Sequence, residues 1–128
     1  MILGLVALSI ILIALCAEAC TDAFNDKGKK SLGHNIKIIE KVVLVMSPFM
    51  LMPLGLEPRH FLAYGLSYLL LRMSTFDLFY NVAKNNKLSY VGTVGWWDRT
   101  IASIPPWGRW IYRTVLGIAG LGIPFSFF

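Results

Sequence analysis

His34, Asp77 and Asp98 are the side chains of this sequence best suited to metal or acid–base chemistry. Imidazole and carboxylate together make a mixed donor set for a divalent cation, and a histidine beside an aspartate can pass a proton during hydrolysis. Their spacing carries no diagnostic motif. A second group follows an apolar run in "LLLRMSTFDLFYN", residues 69–81, which ends in Arg72, Asp77, Tyr80 and Asn81, with Glu40 available from the preceding apolar segment. On a helix Asp77, Asn81 and Lys84 share a face, whereas Arg72 lies well round from Asp77 and needs another partner, Glu40 or a lipid phosphate. Charges near membrane depth are paired, so this cluster reads first as a structural clasp between helices and second as a headgroup site. A metal or acid–base site ranks third. There is no Gly-x-Ser-x-Gly elbow, no His-Glu-x-x-His helix and no phosphate-cradling glycine loop. The expectation is a non-enzymatic protein that needs no cofactor.

The elements that must position these residues are apolar helices. Hydrophobic residues make up 56% of the 128 and charged residues only 15%, against about a quarter in soluble domains, which points to an integral membrane protein. The fold class expected is all-α, a single membrane domain with about four transmembrane helices over residues 1–20, 36–56, 60–82 and 110–128. Residues 21–35, rich in Asp, Asn, Gly and Lys, read as a loop, and Pro48 and Pro53 should kink the second helix or end it early. The third helix should continue past Arg72 to Val82 or Lys84. Residues 83–109 read as an interfacial cytoplasmic segment, with Trp96, Trp97, Trp107 and Trp110 as anchors at the bilayer surface. The first run could instead be a signal peptide ending at "AEA", residues 17–19, but no Lys or Arg precedes it. Cys16 and Cys20, four apart on one helix, read as packed thiols rather than a disulfide.

Basic residues set the orientation. Eleven of the twelve fall in or beside the first and third connections, and Arg59 alone lies in the second. The positive-inside rule then puts both termini on the non-cytoplasmic side of the inner membrane, and His60 on the side away from His34. This asymmetry also accounts for the net charge of +5, so anionic headgroups are the expected partner and nucleic acid is not. Gly117, Gly120 and Gly122 in the last span suit close helix contact, either inside the bundle or in a homo-oligomer.

The pattern Arg72, Phe76-Asp77, Tyr80-Asn81, then "LSYVGT" at residues 88–93 and Trp97-Asp98, resembles a family of small, uncharacterised multi-pass membrane proteins of bacteriophages and prophages. His34 matches a histidine near the start of the preceding helix in that family. The likeness covers residues 33–100, about half the chain, and departs from the family at "AKNNKLSY", where relatives carry a Thr-Arg-Gly-Leu-Pro type of turn. It implies phage or prophage origin and no established activity. Two alternatives from other classes stand beside the non-enzymatic reading. One is a holin-like membrane-permeabilising protein. The other is a membrane-embedded metal-dependent hydrolase using His34, Asp77 and Asp98.

Overall fold

A computed structural model describes residues 1–28, 30–88 and 96–128. The fold is all-α, with no strand among the described residues: α1 (Ile2–Asp26), α2 (Lys30–Leu51), α3 (Phe61–Lys84), the short α4 (Trp96–Ala102) and α5 (Pro106–Phe127). Two short 3-10 turns, Met52–Leu54 and Pro58–His60, join α2 to α3. α1 and α5 are each long and apolar enough to cross a membrane. α2 and α3 have similar lengths, 22 and 24 residues, but are less apolar overall.

α1 is the hub, packing against α2 and α3 and more lightly against α5, while α3 and α5 form the second large contact. The apolar core gathers Ala7, Ile11 and Leu15 of α1 with Leu51, Leu56, Tyr64 and Leu71. α1 and α3 run parallel and α2 and α5 run antiparallel to them. Both chain ends therefore meet the α2–α3 turn at one end of the bundle, where Phe128 stacks on Tyr64. At the other end Lys27 Nζ donates to the Ala83 carbonyl at 2.9 Å.

The residues expected to form a loop, 21–35, are mostly helical. α1 runs on to Asp26 and α2 starts at Lys30, with Gly28 turning the chain at φ 80°. Local polarity gave the wrong boundary because Thr21 and Ala23 are buried, and Asp22 and Asp26 continue a helix face begun by Glu18. The last helix likewise begins at Pro106 rather than Trp110, since proline at the first helical position lacks only an N–H that would be unpaired there. α3 ends at Lys84, and Asn85 adopts the left-handed conformation that closes it.

Two prolines lie within helices, and each is answered by a serine. Pro48 sits inside α2, so the Leu44 carbonyl four residues back has no N–H to accept from. Ser47 Oγ donates to that carbonyl at 3.1 Å, and the Tyr64 hydroxyl sits 2.6 Å from the same Oγ. Pro124 sits inside α5 and releases the Gly120 carbonyl in the same way. Ser67 Oγ, from the neighbouring α3, donates to it at 2.7 Å.

Glycine makes that reach short. A Cβ on Gly120 would stand 2.7 Å from Leu71 Cγ and 3.1 Å from the Leu71 backbone nitrogen, and one on Gly117 would stand 2.9 Å from Ser74 Oγ. Both glycines thus serve packing within the chain, whereas Gly122 faces open space.

Ser67→Ala leaves the Gly120 carbonyl buried without a donor and should cost about 1–3 kcal/mol in detergent unfolding. Pro124→Ala restores an N–H at that turn, so the Ser67→Ala cost should shrink in the Pro124→Ala background; an unchanged cost would contradict the pairing. Gly120→Ala should also destabilise, by about 1–3 kcal/mol through overpacking, while Gly122→Ala should be neutral or stabilising in the same assay.

Candidate functional site

Two polar clusters flank α3. The first lies between α1 and α3. Glu18, Asp22 and Asp26 recur every fourth residue on α1, and Tyr68, Arg72, Phe76, Tyr80 and Lys84 do the same on α3, so each set lines one face. Arg72 grips Glu18 with two nitrogens: Nη2 donates to Oε1 at 2.8 Å and Nε lies 3.2 Å from both oxygens. The Tyr68 hydroxyl donates to Oε2 at 2.9 Å. The guanidinium also stands 4.9 Å from the Phe76 ring centroid, and that ring stacks on Tyr80. Two turns further on, the Tyr80 hydroxyl and Lys84 Nζ, the latter at 3.3 Å, both donate to Asp26 Oδ2.

Within the chain the partner of Arg72 is therefore Glu18 rather than Glu40. Glu18 sits in the stretch that resembles a cleavage site, which hid its place in the four-residue series. That series, read beside the one on α3, is the signal from which the pairing could have been found.

The second cluster lies between α3 and α5. Arg113, 4% exposed, donates to Asp77 Oδ2 at 3.4 Å and to the Leu88 carbonyl at 3.2 Å. Asn81 Nδ2 donates to the same carbonyl at 3.2 Å, and Ser74 Oγ donates to the Arg113 carbonyl at 2.6 Å. Asp77 and Asn81 thus share a face and a task, as their spacing suggests, whereas Lys84 turns to Asp26. Asp98 lies near enough for its charge to act on Asp77.

His34 belongs to neither cluster. It lines an open cleft of about 630 Å³ with Asn25, Ser31 and Lys37, beside the first turn of α2. No group of three His, Cys, Asp or Glu side chains able to hold a metal occurs among the described residues. Glu40 is buried on α2, while the Arg72 guanidinium donates to Glu18.

Trp96, Trp107 and Trp110 are exposed at 72%, 68% and 42%. The side chain of Trp97 and residues 89–95, which include most of "LSYVGT", lie outside the described residues. Cys16 and Cys20 are free thiols.

No protein-family model, curated protein or solved structure matches this chain.

Both oxygens of Glu18, and Oδ2 of Asp26 and of Asp77, are engaged by cations or hydroxyls. The cleft around His34 offers hydroxyl, amide, imidazole and ammonium groups, a set that suits an anion.

Asp77→Asn, which takes the anion from a nearly buried arginine, should lower stability in detergent by about 1–3 kcal/mol. Glu18→Gln should cost about 1–2 kcal/mol, below the range for fully buried pairs because the Arg72 side chain is 41% exposed. The more exposed Asp26→Asn should matter least. Equal thermal midpoints for wild type and Asp77→Asn would remove the clasp.

Proposed function

We propose that this chain is a small non-enzymatic integral membrane protein, a four-span helical scaffold whose cytoplasmic face binds anionic headgroups. One observation carries the reading: polarity is distributed inside out. Glu40, Ser47, Ser67, Ser74, Asn81 and Arg113 are buried, while α2 exposes Ile38, Ile39, Val42, Val45, Met46, Phe49 and Met50. An apolar face of that extent has no stable place in water without a partner. A bilayer supplies one along the whole helix. The internal donors found for the Leu44 and Gly120 carbonyls suit the same setting, where no water is present to take them.

Four crossings agree with the antiparallel neighbours in the bundle and with the meeting of both chain ends at the α2–α3 turn. With the basic residues facing the cytoplasm, the turn of Lys27, the cleft of Asn25, Ser31, His34 and Lys37, and the exposed tryptophans would share the cytoplasmic side of the inner membrane. The cleft, with Lys37 in its lining, suits a phosphate-bearing headgroup, with Trp96 and Trp107 as interfacial anchors. Origin in a phage or prophage rests on the resemblance through Arg72, Asp77, Tyr80 and Asn81.

Alkaline phosphatase fused after Phe128 should be active in intact cells, and green fluorescent protein at the same position should be dark. The chain should also stay with the membrane on alkaline carbonate extraction. A fluorescent fusion would overturn the orientation, and release by carbonate would overturn the integral reading.

A further inference from the structure

We propose that Cys16 and Cys20 form a two-thiolate site for a soft d10 cation of the Hg(II) type on the outer side of α1. Four residues apart on one helix, they share a face, and the Cys16 sulfur acts on Cys20 at hydrogen-bonding range. Cys16 is exposed and Cys20 half-buried, so the pair is open rather than packed into the core. At about 100° per residue, both leave the helix on the side opposite Glu18 and Asn25. Neither the ion pairs with α3 nor the cleft beside α2 competes for them.

The spacing selects what can join the two sulfurs. Neighbours four apart on a helix hold their Cβ atoms about 5–6 Å apart, whereas a disulfide draws them to about 4 Å. An inserted metal lengthens the bridge, since two metal–thiolate bonds of about 2.3 Å in line reach between the sulfurs without distorting the helix. Among the described residues no third His, Cys, Asp or Glu completes a metal-binding group with them. Zinc, which fills four positions, has no site there, and a cation satisfied by two soft ligands does.

Charge narrows the choice. Binding exchanges each S–H bond for an S–metal bond and releases both protons to solvent, with no change of oxidation state. A dication then leaves a neutral complex and a monocation a negative one, and the end of an apolar span favours the neutral form. Cys20 stands between Glu18 and Asp22, where charged residues begin, so the ion arrives from headgroup level rather than through hydrocarbon. The pairing of the thiols depends on α1 alone. Only the preference for a dication draws on the membrane reading, which carbonate extraction tests by itself.

The test gives the reduced, purified full chain in detergent one equivalent of Hg(II) and then about a tenfold excess of glutathione, too dilute to match a tethered second thiol at an effective concentration of about millimolar. After desalting, the wild type should keep one ion per chain, show the ultraviolet absorption of a mercury–thiolate bond, and have both cysteines protected from N-ethylmaleimide by mass spectrometry. Cys16→Ser and Cys20→Ser should each lose the ion to glutathione. A wild type stripped by glutathione, or one with a single cysteine protected, overturns the proposal whether or not the serine variants fold. Retention by either single variant overturns it equally, by assigning the ion to other ligands.

Discussion

The Gly120 carbonyl cannot be satisfied within its own helix, and much of the bundle follows from bringing it a donor. Pro124 removes the N–H that would have closed that turn, so a hydroxyl must arrive from another helix. Ser67 can arrive only if α3 and α5 come close, and Gly120 and Gly117 make that approach possible by presenting no side chain to Leu71 and Ser74. Once the two backbones are that near, Ser74 meets the Arg113 carbonyl and Arg113 meets Asp77. Hydroxyl, glycine and ion pair are therefore one contact with three parts. Pro48 imposes the same demand on α2, where Ser47 answers it locally and Tyr64 ties the answer to α3.

The face of α1 toward α3 works by a different rule. There the contact is made of long side chains reaching between helices, with Arg72 held against Glu18 on one side and the Phe76 ring on the other. A cation between a carboxylate and an aromatic face has its charge met in two directions, which suits a guanidinium, planar and weakly hydrated, better than an ammonium. The lysine of the series stands instead at the helix end, where Lys84 can remain partly in water. The carboxylates become more exposed along the series, from Glu18 to Asp26.

The helices themselves were legible in the sequence, because uninterrupted apolar runs of about 20 residues have few other fates. The extension of α3 through Asp77 to Lys84 was legible too, since no glycine or proline intervenes. The end of α1 was not: Asp22, Asn25 and Asp26 have loop composition, and only their spacing from Glu18 marks them as helical. The face shared by Asp77 and Asn81 followed from helical geometry alone. Arg113 did not, because the register that sets it against Asp77 depends on how α5 docks, 36 residues further along the chain. Local rules recovered which residues share a face; which faces meet required the packing.

The four-residue series on α1 and α3 also bears on how the bundle resists sliding. Equally spaced rungs do not by themselves fix a register, since a shift of one turn sets rung against rung again. Here the rungs are unequal in kind. Glu18 meets Arg72 and Asp26 meets Lys84, while Asp22 stands level with the phenyl ring of Phe76. Moving α1 one turn along α3 in one direction would give Asp22 to Arg72 but put Asp26 beside the phenyl ring. In the other direction Asp22 would gain Lys84 and Arg72 would lose its carboxylate. Either way one of two bridges is broken, so the interface acts as a keyed shaft that favours its observed axial position over a shift of one turn.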